Sequence, residues 1–86
     1  MATKATLFEA IMPKLTTVSG SRIARYLFFP SDENFTIKAS KHLMLTELPT
    51  IQPRELDEEL ERLEIAGVFE VLIRPGEDNV YIFKLD

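Results

Sequence analysis

The chain has 86 residues, a formal net charge of −4 and 45% hydrophobic side chains. This length supports one hydrophobic core and no second domain, and the composition argues against disorder. The lack of cysteine excludes disulfides and thiolate metal sites. No stretch approaches the roughly 18 apolar residues of a membrane span, and MATKATLFEAIM has no apolar run of signal-peptide length. A soluble cytoplasmic protein with no membrane partner is expected.

Leu7, Phe8, Ile11, Met12, Leu15 and Val18 recur at helical spacing, which predicts an amphipathic helix over about Thr3 to Thr17. Pro13 falls inside that pattern and should kink or end it. TVSG then breaks the chain, and SRIARYLFF forms a second helix with Ile23, Tyr26 and Leu27 on one face, stopping before Pro30. PSDEN reads as a polar turn and FTIK as one short strand. Ser40 can cap a helix over KHLMLTEL, which Pro49 ends.

Pro53 suits the first turn of the next helix, where its missing N–H has no partner to lose. Leu56, Leu60 and Leu63 make that helix's inner stripe, and Gly67 suits its C-terminal cap. Beyond it the period changes to two. Phe69, Val71 and Ile73 alternate with Glu70, Leu72 and Arg74, and Tyr81, Phe83 and Leu85 with Val80, Ile82 and Lys84. Pro75-Gly76 favours a turn with positive φ at the glycine, so the chain should finish in a β-hairpin.

Charge is concentrated on one element. From Arg54 to Glu64 there are six acids and two bases, a sum of −4, so the remaining residues sum to zero. In order, helix, short strand, helix, helix and hairpin over 21–86 resemble the winged-helix variant of the helix-turn-helix. LDEELERLEIAGVFEVLIRPGEDNVYIFKL is similar to the third helix and wing of such domains, with leucines at helical spacing, Ala-Gly, and two apolar residues opening the wing. The resemblance implies a single α+β winged-helix-like domain over 1–86, with 21–86 as its core and 1–18 as an added N-terminal helix. It implies less about function, since domains of this kind bind either duplex DNA or proteins.

At 100° per residue from Leu56, the outer face of the acidic helix holds Arg54, Glu58, Glu61, Arg62 and Ile65. Asp57 and Glu64 occupy one flank, and Glu55 and Glu59 the other. In a DNA groove the flanks approach the phosphates. Each carboxylate there costs roughly 0.5–1 kcal/mol even at the dielectric constant of water, and four cost a few kcal/mol. Third-helix DNA recognition is therefore disfavoured. A protein partner at Arg54, Glu58, Glu61, Arg62 and Ile65 is favoured, with Ile65 as an apolar centre inside a charged rim. A helix that unwinds before Ile65 would instead return it to the core. Arg54, Glu58 and Arg62 also form an i, i+4, i+8 ladder whose Glu58–Arg62 rung has the favourable orientation.

The stripe of Leu7, Phe8, Ile11 and Met12 either packs on its own domain or pairs with the same helix of a second copy, giving a homodimer. Arg22, Arg25, Lys38, Lys41 and His42 either form a small basic patch or are scattered solvated charges. As a patch they support the alternative function, a small DNA-binding transcriptional regulator. No catalytic residue, cofactor or metal is expected. His42 is the only histidine, no glycine-rich phosphate loop occurs, and the acids of EELE point to both sides of the helix. The expected function is a non-catalytic interaction module for a protein partner. A regulatory or assembly role in transcription, replication or a phage programme follows from analogy of fold.

Overall fold

A computed structural model describes residues 3–85. In chain order the elements are α1 (Lys4–Phe8), a 3₁₀ turn (Met12–Lys14), α2 (Val18–Phe28), β1 (Thr36–Ala39), α3 (Lys41–Glu47), α4 (Pro53–Ile65), β2 (Phe69–Leu72) and β3 (Asn79–Phe83). The described residues thus form an α+β domain of four α-helices and one three-stranded antiparallel sheet, ordered β1-β3-β2. No helix among them is long and apolar enough to cross a membrane.

The single helix expected over Thr3–Thr17 is two short pieces. Thr3 caps α1 by accepting from the Thr6 amide. After Phe8 the bonds tighten to the three-residue spacing: Ala10 N donates to Leu7 O, Ile11 N to Phe8 O, Lys14 N to Ile11 O and Leu15 N to Met12 O. Pro13 is the cause, because it has no amide for the Glu9 carbonyl and its ring crowds that carbonyl. The tightened segment lies on the domain's own core, with Phe8 and Ile11 buried. The Phe8 ring sits 5.3 Å from Phe28 and 5.5 Å from Phe29. Two lysines fasten it. Lys4 Nζ donates to the carbonyls of Phe29 (2.8 Å) and Ser31 beyond the end of α2, and Lys14 Nζ donates to Gly67 O (3.2 Å) beyond α4. Cations there satisfy carbonyls the helices leave open.

TVSG does not break the chain; it begins α2. Thr17 is the N-cap, its hydroxyl accepting from the Gly20 amide at 2.9 Å. Gly20 belongs in the helix because a Cβ there would lie 2.8 Å from Thr17 Oγ1 and 2.9 Å from Glu59 Oε2. Val18, expected in the buried stripe, is the first helical residue and is 72% exposed. The division between 1–18 and 21–86 therefore cuts the first turn of α2.

Other expectations hold. Ser40 caps α3, accepting from Leu43 N. Pro53 occupies the first turn of α4, and Gln52 and Glu55 close a capping box at its start. At the other end Gly67 takes φ +81° while Val68 N donates to Leu63 O, a Schellman-type stop. The β2–β3 register pairs Phe69 with Phe83 and Val71 with Tyr81, turning all four to one face. The hairpin turns at Gly76, φ +78°, with Glu77 N donating to Arg74 O.

Leu56, Leu60 and Leu63 are buried against Ile23, Leu27, Phe28, Met44, Phe69, Tyr81 and Phe83 in one continuous core. Both outer edges of the sheet carry a carboxylate. Asp32 Oδ1 accepts from Thr36 N beside β1, and Glu64 Oε2 accepts from Val71 N (3.4 Å) on β2.

Candidate interaction surface

Because the leucines of α4 face inward, the other side chains of the helix fall on three strips. The ladder stays regular to its end, with Ala66 N donating to Arg62 O at 2.9 Å. The helix therefore does not unwind before Ile65, which stays opposite the leucines and is 78% exposed. Ile65 lines a shallow depression together with Glu58, Glu61 and Arg62. Four of the five residues expected at a protein interface are thus together. Arg54 lies nearer the start of the helix, against Glu58 (Nε to Oε1, 3.3 Å).

The ladder's second rung does not form. Arg62 turns away from Glu58 and donates to Glu59 Oε1 at 2.6 Å. Glu59 is 6% exposed, and a buried carboxylate without a counter-charge is costly, so it outcompetes a solvated one for the guanidinium. Glu59 keeps the flank its spacing predicts, but that flank is covered by α2 and is not open to a phosphate wall. It lies about 60° from Leu56 on the helical wheel, next to the stripe, and packs against the start of α2. There Thr17 Oγ1 donates to Glu59 Oε2 (2.8 Å) and Ser19 Oγ donates to Glu55 Oε2 (2.7 Å). One hydroxyl, that of Thr17, thus accepts from Gly20 N and donates to Glu59. The carboxylate also lies at the positive end of the α2 dipole.

The opposite strip faces the hairpin. Asp57, Glu61 and Glu64 border a groove lined also by Leu60, Val71, Ile73 and Tyr81. Lys41 Nζ reaches Asp57 Oδ1 at 2.8 Å. Glu61 has no hydrogen bond or ion pair among the described residues and borders both this groove and the Ile65 depression. Ile73, expected to continue the alternation of Phe69 and Val71, lies one residue beyond β2 and is 76% exposed.

Tyr81 is fully buried, and its hydroxyl has no hydrogen-bond partner among the described residues. Burial raises its pKa above the usual tyrosine value. Asn79 and Lys41 oppose that rise, and Asp57 and Asp78 add to it. Asn79 is close enough to influence the phenol without meeting hydrogen-bond geometry.

The five basic residues share no common partner. Arg22 donates to Thr50 Oγ1 (2.9 Å), and the Arg25 guanidinium stacks over Phe8 at 5.2 Å. Lys38 pairs with Glu77 on the hairpin (3.2 Å), Lys41 with Asp57, and His42 is exposed on α3. Each cation that finds a partner finds a different one: a hydroxyl for Arg22, an aromatic face for Arg25 and separate acids for Lys38 and Lys41. The N-terminal stripe is likewise used within the domain. Phe8 and Ile11 are buried, Leu7 is half-buried, and Met12 alone of the four is exposed, so no continuous helical face remains for a second copy.

Among the described residues no three His, Asp or Glu side chains converge as metal ligands. Asp32, in the polar turn PSDEN, uses its carboxylate to accept from the amides of Asn34 and Thr36. Leucine periodicity could have located Glu59. No local pattern signalled Tyr81's lack of a partner or the groove above it, since both depend on α4 meeting the hairpin. No protein-family model matches this chain, and no curated protein matches it.

Proposed function

We propose that this domain is a winged-helix-like interaction module that binds a protein partner through the outer face of α4 and performs no chemistry of its own. The fold reading is supported by the sequence of α2, β1, α3 and α4 followed by a hairpin, with β1 completing the sheet beside β3. A regulatory or assembly role is the extension by analogy of fold. The observation that carries the binding reading is Ile65: a large apolar side chain, 78% exposed at the end of a regular helix, ringed by Glu58, Glu61 and Arg62. An apolar centre with a charged rim suits a protein surface.

Electrostatics point away from a phosphate backbone. Arg54 and Arg62, the basic residues of α4, are each committed to a glutamate on the same helix. Asp57, Glu58, Glu61 and Glu64 remain exposed, and duplex binding draws its affinity from phosphate neutralisation.

Ile65→Lys is expected to keep the wild-type circular dichroism and melting temperature while losing a partner that wild-type protein retains from nuclease-treated host lysate. Titration with nonspecific duplex at low salt should show no saturable binding. An Ile65→Lys protein that keeps every partner would overturn the reading. Micromolar duplex binding with a steep salt slope would replace it with the DNA-binding alternative.

A further inference from the structure

We infer that the groove between α4 and the β2–β3 hairpin is a socket for a basic side chain, an arginine or lysine presented by an apolar-flanked segment of the partner. The inference rests on the protein-partner reading above and names that partner's chemistry.

Three features of the groove converge on this occupant. Its helical wall carries Asp57, Glu61 and Glu64 at i, i+4 and i+7; Lys41 supplies one counter-charge, to Asp57, Val71 N donates to Glu64, and Glu61 has no partner among the described residues. Its floor is apolar: Leu60 and Val71 offer a track for the methylene stem of a long cation, which such side chains use while their heads stay polar, and Ile73 stands exposed at the rim. At the end near Asp57 and Lys41, Tyr81 holds a phenol oxygen that is buried without a partner. A buried polar atom normally has one, and a guanidinium or ammonium group donates in several directions at once. An anion would meet a wall of net negative charge, and a purely apolar group would leave Glu61 and the phenol unanswered.

The surroundings fix the kind of segment. Ile65 and Ile73 stand exposed on either side of Glu61, which borders both the depression and the groove. A segment with apolar residues flanking a base would cover both isoleucines while its cation entered the groove. An isolated basic residue would fill the socket and leave the isoleucines wet.

The test uses a labelled five-residue peptide of alternating leucine and arginine, with a counterpart in which neutral citrulline replaces arginine. Titrated into the whole ¹⁵N-labelled chain at low salt, the arginine peptide should shift the amides of Val71, Ile73, Asn79 and Tyr81 most. The citrulline peptide should not bind. The double variant Glu61→Gln, Glu64→Gln should weaken the arginine peptide about tenfold, taking each exposed ion pair as roughly threefold. Tyr81→Phe should weaken it while the protein stays folded. Citrulline binding equal to arginine, shifts centred away from the groove, or an unchanged double variant would overturn the socket.

Ile65→Lys separates this inference from the broader one. If that variant loses the native partner while the peptide fails to enter the groove, the module stands and the socket falls. If it keeps every partner while the peptide enters as described, the α4-face reading falls and the socket stands.

Discussion

The two long edges of α4 carry the same kind of residue and meet different surroundings. Towards α2, Glu55 and Glu59 accept from Ser19 and Thr17, and Arg62 neutralises the buried member. Towards the hairpin, Asp57, Glu61 and Glu64 border an open groove with one lysine among them. A count of charges on a helix therefore says little until its neighbours are known. On the first edge the carboxylates hold two helices together; on the second Asp57 meets Lys41 and Glu64 the Val71 amide, and Glu61 remains free for recognition. Stability should be sensitive on the first edge and indifferent on the second.

Glu59→Ala tests the first half most severely. It strands the Thr17 hydroxyl and the Arg62 guanidinium and leaves a void beside Gly20, so urea unfolding should show a loss of about 3 kcal/mol. A loss below about 1 kcal/mol would mean that the edge is not structural. Gly20→Ala is the finer probe. In a helix interior this change ordinarily stabilises by up to about 1 kcal/mol. Here the added methyl meets Thr17 Oγ1 and Glu59 Oε2 within 3 Å, and the expected result is a net loss of about 1–2 kcal/mol.

On the hairpin side the sign reverses. Tyr81→Phe removes a buried hydroxyl that has no partner and should raise stability by about 1 kcal/mol in the same assay. Its pH dependence follows from the raised pKa of Tyr81, caused first by burial. The folded state keeps the phenolic proton after the unfolded chain has released it. The associated stability is complete below the usual tyrosine value of about 10 and is lost as pH rises towards the folded pKa. Tyr81→Phe should flatten that alkaline loss. Tyr26, whose pKa is raised by burial first and then by Glu47, should contribute to the loss that remains. The smallest effects belong to Asp57→Asn and Glu61→Gln, each expected within about 0.5 kcal/mol of wild type by thermal melting, since Asp57 makes one exposed ion pair and Glu61 makes none.

Much of this architecture is legible in the sequence because it depends on local patterns. The row Leu56, Leu60, Leu63 set the inner face of α4, Pro53 and Gly67 set its ends, and alternation with Pro75-Gly76 set the hairpin. The errors lie where a distant element decides. Gly20 reads as a break until the Glu59 carboxylate is seen occupying the space of its missing side chain. Lys4 and Lys14 look like ordinary surface charges, and nothing near them announces carbonyl partners 25 and 53 residues away. The exposure of Ile65 was legible as one of two outcomes, and helix regularity up to Ala66 chose between them. The socket beside Tyr81 was not legible, because it exists only where helix and hairpin meet.

The carboxylates of Asp32 and Glu64 at the sheet's margins have a further consequence. An incoming strand would have to evict an acid from the Thr36 or Val71 amide and take its place. Bare margins invite chain-on-chain growth into fibrils, and guarded ones resist it. Any visitor must therefore be read through side chains, residue by residue, rather than welcomed by sequence-blind main-chain pairing. A small domain with such guarded margins can show greasy residues to solvent and still remain dispersed.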